Sequence, residues 1–190
     1  MKKLNKNLKT ILIAVGLIAS IMGAYTLGFY SGQTFGVYQE VKHPHIVNVI
    51  IWRSGVVIYN YTTHNILTTI GAKHARNIFG FDNETARQVI YISLSSDTSP
   101  DKSWTKLPNE ITDGGLARTS GTPTVINATA FQVVASWTAT GSYTISCTGI
   151  HWDGTAGSDG NLFAVAEIPT TNVISGDNIQ VTWTINTPDG

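Results

Sequence analysis

The stretch "DNIQVTWTIN" (Asp177–Asn186) decides the fold, because apolar and polar residues alternate along it. The apolar set is Ile179, Val181, Trp183 and Ile185, and the polar set is Gln180, Thr182, Thr184 and Asn186. A period of two is that of a β-strand, whose successive side chains point to opposite faces. "AFQVVASWTA" (Ala130–Ala139) alternates in the same way. Strands with one apolar face and one polar face predict an antiparallel sandwich, with each sheet solvated on its outer side.

Strand signals continue on both sides of these two stretches. From Gln88 onward they are "QVIYISLS", "LARTSGTPTVIN", "SYTISCTGIHW" and "NLFAVAEI", with the long loop "SDTSPDKSWTKLPNEITDGG" after the first. "IVNVIIWRSGVVIYNYTT" (Ile46–Thr63) predicts a hairpin that turns at Arg53-Ser54-Gly55. "NILTTIGAKHARNIF" (Asn65–Phe79) changes to a helical period, and Gly80 can end the helix. We therefore expect a mainly β, jelly-roll-like sandwich with one α-helix packed across a sheet.

The N-terminus predicts a membrane anchor. Thr10–Tyr30 contains no charged residue, and a helix of that length crosses about 30 Å of hydrocarbon. Lysines precede it but do not directly follow it, which places the N-terminus inside and the rest of the chain outside. A cleaved signal peptide is the alternative, but a cut after Ala24 would put Met22 where a small residue is required.

The predicted organisation has four parts. Residues 1–9 form a basic inside segment, residues 10–38 a transmembrane helix, residues 39–45 a linker and residues 46–190 the external β-sandwich. Every fourth residue from Gly16 to Gly36 is small: Gly16, Ser20, Ala24, Gly28, Gly32 and Gly36. Small residues at this spacing let two helix backbones approach closely. We expect this stripe to be a helix–helix seam that makes the protein a homo-oligomer.

Composition excludes several classes of protein. From Ser31 onward there are eight Lys and Arg residues against twelve Asp and Glu residues, so this part of the chain carries about −4. No basic patch lies among aromatic residues, which argues against nucleic-acid binding. Cys147 is the one cysteine, so the chain cannot form an internal disulfide. No motif for a cofactor or a phosphate-binding loop is present in the sequence.

Several motifs between Thr63 and Asn186 resemble one family of domains. They are "HNILTTIGAKHARNIF", "YISLSSDTSP", "NEITDGGLART", "SYTISCTGIHWDG…GNLFAVAEI" and "SGDNIQVTWTIN". In this order they are similar to a domain of tail-fibre and other virion-surface proteins of head–tail bacteriophages and related archaeal viruses. The resemblance implies a β-sandwich and a virion context. The membrane helix departs from the family's usual N-terminus and points to a membrane-containing virion, or to a cell-surface protein that shares the domain.

Three groups of residues are candidates for catalytic or metal sites. Asp153, Asp159 and Asn161 offer oxygen ligands in a Gly-rich loop and form a weak calcium candidate. His43 and His45 flank a proline, but no third ligand lies nearby in the sequence. Cys147, His151 and Asp153 would share one side of a strand, about 13 and 7 Å apart, which is too far for a catalytic relay. We therefore predict no metal and no catalytic residue.

Surface features remain as candidate binding or modification sites. Trp104 lies in a polar loop, where it is a candidate receptor contact, although an aromatic anchor that folds back onto the sheet is the favoured interpretation. Asn60, Asn83 and Asn127 each begin an N-x-Thr sequon, so they are possible glycosylation sites if the domain is external.

We expect a non-enzymatic surface protein that presents its sandwich for host attachment, through a glycan or a protein, or for outer-shell assembly. One alternative is a cellular adhesin or filament subunit, with "HIVNVIIW" (residues 45–52) as a donated strand. Another is a glycan-hydrolysing enzyme, which would need Glu110 and Asp113 about 5–10 Å apart in a cleft.

Overall fold

The computed structural model describes residues 45–80 and 87–186. These residues form strands and one helix in the following order: β1 (Ile46–Arg53), β2 (Val56–His64), β3 (Ile66–Leu67), α1 (Thr69–Gly80), β4 (Tyr91–Ser95), β5 (Thr119–Ser120), β6 (Thr122–Asn127), β7 (Ala130–Thr138), β8 (Tyr143–His151), β9 (Leu162–Val173) and β10 (Asn178–Asn186). The first sheet has the order β2-β1-β10-β7-β6, and the second has the order β3-β9-β8-β4-β5. Every neighbouring pair is antiparallel. The predicted mainly β, antiparallel fold with one short helix is confirmed.

The main core lies between the two sheets, and the alternating stretches supply its first wall. β7 and β10 are neighbours, with Val181 opposite Ala135 and Trp183 opposite Val133. All four of these side chains are buried in one hydrophobic cluster. Ile92 and Leu94 of β4 and Ala164 and Ala166 of β9 are buried in it from the second sheet. The polar residues of β10 (Gln180, Thr182, Thr184 and Asn186) remain partly exposed, as the alternation predicts.

The predicted hairpin is formed by β1 and β2. Its turn residues Ser54 and Gly55 both have positive φ angles, 50° and 79°. Two left-handed residues in succession match the twist of the flanking strands. β1 lies between β2 and β10, and its Val47, Val49 and Ile51 are fully buried. The stretch considered as a donated strand therefore occupies an interior position of its own sheet.

The helix starts later than predicted. Ile66 and Leu67 form β3, which pairs with Val165 and Ala164 of β9, and α1 begins only at Thr69. The reason is a helix cap: Gly71 N donates to Thr68 Oγ1 at 2.9 Å. A Cβ on Gly71 would lie 2.0 Å from Phe163 O, so glycine is required for the helix to rest this closely on β9. The prediction of a helix across a sheet is confirmed.

The prediction that both sheets are solvated on their outer sides is wrong for the second sheet. Cys147 of β8 and Val165 of β9 face away from the main core, yet they are buried in a second cluster with Leu107. Ile70 of α1 and Trp104 pack against this cluster. The helix and the loop between β4 and β5, residues 96–118, therefore form a third layer over the second sheet.

The stretch "LARTSGTPTVIN" is two strands rather than one. β5 pairs with β4 in the second sheet, whereas β6 pairs with β7 in the first. The crossing is at Gly121, whose N–H donates to Ile90 O at 2.7 Å. A Cβ on Gly121 would lie 2.5 Å from Val133 Cγ1, so the crossing needs a residue without a side chain.

Within residues 45–80 and 87–186, no helix is both long and apolar enough to cross a membrane. The predicted transmembrane helix, its small-residue stripe from Gly16 to Gly36, and Asn83 lie outside these residues.

Candidate functional site

A buried ion pair anchors the loop between β4 and β5. Arg118 donates from Nε and Nη2 to the two carboxylate oxygens of Glu110, at 2.8 and 2.7 Å. Both side chains are almost completely buried, with 0% and 2% of their surface exposed. Gly157 N also donates to Glu110 Oε2 at 2.8 Å. The paired geometry and the third bond satisfy charges that would otherwise be costly to bury.

A chain of polar side chains continues from this ion pair along the outer face of the second sheet. Arg118 Nη1 donates to Asn161 Oδ1 at 3.0 Å, and His151 Nδ1 lies 2.8 Å from the same oxygen. Because Asn161 Oδ1 is an acceptor, His151 Nδ1 carries the proton, and Nε2 accepts from Ser93 Oγ at 2.7 Å. The result is a Ser93–His151–Asn161 relay that ends on Arg118.

The relay has the order of a serine hydrolase triad but lacks two of its properties. Ser93 and His151 are both 0% exposed, so no substrate reaches the hydroxyl. Burial, together with the positive charge of Arg118, lowers the pKa of His151 to about 3. A general base must accept a proton, and this imidazole strongly resists doing so. The relay therefore acts as an internal brace that joins β4, β8 and the loops.

An open pocket lies beside this brace, at the surface. Its volume is about 340 Å³, at the small end of the range for small-molecule sites. The lining residues are Arg87, Gln88, Ile90, Tyr91, Trp152, Asp153 and Gly154. Tyr91 and Trp152 are half-buried, whereas Arg87 and Gln88 are exposed.

The aromatic and charged groups of the pocket are held in place by their neighbours. Trp152 stacks on His74 of α1, with ring centroids 4.0 Å apart and planes 2° from parallel. Arg87 Nη1 donates to Asp153 Oδ2 at 2.6 Å, and Thr155 N donates to Oδ1 at 2.8 Å. The Thr155 N–H, together with Arg87, holds the pKa of Asp153 below its usual value. The pocket thus offers two aromatic rings beside a hydrogen-bond donor, Arg87, and a hydrogen-bond acceptor, Asp153, which are held in fixed positions.

The residues of the weak calcium candidate have other partners. Asp153 binds Arg87, Asp159 Oδ1 accepts from Gly160 N at 2.7 Å, and Asn161 Oδ1 accepts from Arg118 and His151. In the described part of the chain, no three His, Cys, Asp or Glu side chains are grouped to hold a metal ion. His43 lies outside the described residues, and His45 Nδ1 accepts from Asn186 N at 3.2 Å.

The structure also shows the surroundings of the remaining candidates for catalysis, Cys147, Glu110 and Asp113. Cys147 is buried in the second cluster, and burial raises its pKa to about 12, so the thiol stays protonated. Glu110 is bound to Arg118. Desolvation raises the pKa of Tyr143, and Asp113, which interacts with the Tyr143 hydroxyl, raises it further. Both carboxylates therefore have structural partners.

The surface candidates occupy different positions. Trp104 is half-buried and packs on the second cluster, as an aromatic anchor of the loop does. Asn60 is exposed on β2, where its Oδ1 accepts from Asn48 Nδ2 at 2.9 Å. Asn127 is exposed at the end of β6 and accepts from Thr129 N at 2.9 Å.

Comparisons with protein-family models, curated proteins and solved structures find no match to this chain.

The pocket was not predicted from the sequence. Its lining comes from residues 87–91 and residues 152–154, which the pairing of β4 with β8 brings together. The available signal was Trp152 and Asp153 directly after a strand, but their partners on β4 and α1 are far away in the sequence. The motif "NEITDGGLART" contains both residues of the buried ion pair, Glu110 and Arg118. Its turn-forming residues explain the motif without an ion pair, so the pairing was not predicted.

Proposed function

We propose that this chain is a non-enzymatic surface protein that attaches to glycans through the Tyr91–Trp152 pocket. The N-terminal helix, residues 10–38, anchors it in a membrane with the N-terminus inside, and the jelly-roll-like sandwich is external. The resemblance to virion-surface domains supports a place on a virion, and a cell surface is the alternative location. The observation that carries the proposal is the pocket, which combines two aromatic rings with an Arg–Asp pair.

Sugars are recognised by this combination of groups. A pyranose ring has an apolar face of C–H groups, which packs on an aromatic ring, and a rim of hydroxyls that both donate and accept hydrogen bonds. Tyr91 and Trp152 supply the aromatic surface. Asp153 supplies an acceptor, Arg87 supplies donors, and the Gln88 amide supplies both. A volume of about 340 Å³ suits a single terminal sugar rather than a long chain.

Such a shallow site binds weakly, so attachment depends on many copies. Linking several weak sites to one surface raises their combined affinity by about 10²–10⁴ without any new contact. A membrane-anchored protein presents its copies on one surface, which meets this requirement.

The proposal is tested with the full chain, purified in detergent and displayed at high density on beads. The beads are exposed to a panel of neutral and acidic oligosaccharides. Trp152→Ala and Gln88→Ala are expected to lower binding at least tenfold. Trp104→Ala is the matched control, because Trp104 is also half-buried but packs on the second cluster, away from the pocket lining.

The outcomes distinguish the Tyr91–Trp152 pocket from Trp104 as the receptor contact. Loss of binding with Trp104→Ala, but not with Gln88→Ala, would move the receptor contact to the loop. The absence of glycan binding by the unmodified chain at any density would overturn the proposal. Gln88 is exposed, so its variant separates loss of the ligand from loss of the fold.

A further inference from the structure

Among the residues that the structure describes, the strands at the sheet edges differ in how well they are protected from pairing with other chains. An edge strand presents unpaired N–H and C=O groups, and proteins usually block it with charges, prolines, bulges or short length. β3 and β5 are only two residues long. β6 carries Pro123 and a register shift between Val125 and Asn127. Where β9 extends beyond β3, it carries Glu167 and Pro169.

β2 has none of these protections in the part that pairs regularly. It is nine residues long, and Val56–Thr63 contains neither a charged residue nor a proline. Its pairing with β1 is regular from Tyr59 to His64, and the one register shift lies near the turn. In the regularly paired part Tyr61 is 37% exposed, and the residues at the turn end, next to the register shift, are apolar and more exposed, with Val56 at 65%, Val57 at 50% and Ile58 at 45%.

We propose that β2 is a self-association surface, through which two copies of this chain pair antiparallel across a two-fold axis. The two five-stranded sheets would then form one continuous ten-stranded sheet. This inference does not depend on the glycan pocket, and it is separate from the predicted helix seam.

The direction of the strands identifies a second β2 as the best partner that the chain itself offers. A two-fold axis perpendicular to the sheet makes β2 antiparallel to the partner's β2. The alternative is the opposite edge, but the successive antiparallel pairs make β2 and β6 run in the same direction. Copies related by translation would therefore pair β2 with β6 in parallel, which is slightly less stable per residue. Pro123 also removes one N–H donor from β6.

The sequence of β2 is compatible with itself across such an axis. A charged residue on the strand would meet a like charge near the axis, and Val56–Thr63 contains none. With Asn60 on the axis, Tyr59 lies opposite the partner's Tyr61, and the two Tyr rings within one copy are already 6.3 Å apart. Four aromatic rings would then cluster along one side of the interface. A glycan on Asn60 would occupy the axis, so glycosylation and pairing exclude each other.

Cysteine cross-linking of the full chain in detergent tests the contact. Asn60→Cys places two thiols opposite each other at the axis, and the native Cys147 is buried and does not compete. Mild oxidation is expected to convert most of the protein to a disulfide-linked dimer. Val125→Cys is the matched control, because Val125 is 79% exposed on the other edge of the same sheet. It is expected to give less than a tenth as much dimer.

A second variant tests whether the edge drives the association. Ile58→Lys, added to Asn60→Cys, puts a lysine on the edge strand, opposite the partner's Thr62, and is expected to reduce the cross-linked fraction about tenfold because pairing would bury part of its charge. Thr124→Lys, which adds a lysine to β6, is expected to leave the cross-linked fraction unchanged. Equal cross-linking at Asn60 and Val125, or no cross-linking at Asn60, would overturn the proposal. If Ile58→Lys disturbs folding, the comparison of the two cysteine positions still decides.

Discussion

The outer faces of the two sheets differ, although both sheets share one core. On the first sheet, Thr182 and Thr184 of β10 point outward and are partly exposed. On the second sheet, Ser93, Cys147 and His151 also point outward, but they are fully buried beneath other groups. The first face needs only to be soluble, whereas the second must satisfy every polar group that it buries. The second sheet is therefore the more fragile of the two.

The largest expected effect comes from breaking the buried ion pair. Arg118→Met leaves Glu110 buried without its partner, which should lower the free energy of unfolding by about 3–5 kcal/mol. Arg87→Met is the control, because its ion pair with Asp153 is 60% and 27% exposed. That change should cost less than about 1 kcal/mol. Urea unfolding followed by fluorescence measures both, and equal losses would contradict the structural role assigned to the ion pair of Arg118 and Glu110.

Acid should weaken the second sheet through His151. The unfolded chain binds a proton on this residue near pH 6.5, whereas burial keeps the folded residue neutral down to about pH 3. Between these values the unfolded state holds more protons, so stability falls as the pH falls. The contribution is about 1.4 kcal/mol per pH unit for one proton.

The measurement compares urea unfolding of the unmodified chain and of His151→Asn between pH 6 and 4.5. Carboxylates with pKa values near 4 begin to titrate at the lower end of this window in both proteins, so the difference between the two slopes isolates His151. In the His151→Asn variant the free energy of unfolding should depend less steeply on pH, even if the variant is less stable at pH 7. An identical slope in both proteins would show that His151 is not the group responsible.

An effect smaller than that of Arg118→Met is expected at Gly149, which leaves room for the relay. A Cβ there would lie 2.9 Å from Leu162 Cδ1, 3.0 Å from His151 Nε2 and 3.3 Å from Ser93 Oγ. Gly149→Ala should therefore cost about 1–3 kcal/mol through overpacking. Adding Leu162→Val removes the nearest contact and should recover part of the loss in thermal unfolding. If Leu162→Val does not recover any stability, the strain comes from the contacts of the new Cβ with His151 and Ser93 instead.

The first sheet could be predicted from the sequence because its strands face water on one side. That arrangement imposes the period of two seen in "DNIQVTWTIN", and a hairpin with Ser54-Gly55 at its turn is a local feature. β8 is buried on both faces, and its sequence "YTISCTGIH" has no such alternation. Ser, Cys, Thr and Gly fit beneath a covering layer, but they are also common on exposed strands.

The brace and the pocket could not be predicted, because their partners meet only through the sheet pairing. Ser93 and His151 are 58 positions apart, and Arg87 and Asp153 are 66 positions apart. Spacing along the sequence carries no signal for contacts of this kind. Two pairs lie within one motif each: Glu110 and Arg118, eight positions apart, and His151 and Asn161, ten positions apart.

The interior position of β1 has a mechanical consequence. The chain before His45 enters the domain at β1, which is hydrogen-bonded to β2 on one side and to β10 on the other. When the opposing force acts at the Arg53 end of β1, a pull on the N-terminal segment loads the bonds to β2 and β10 together in shear. When it acts at the end of β10, where Thr184 lies opposite Ile46, the same pull opens the bonds between β1 and β10 one after another.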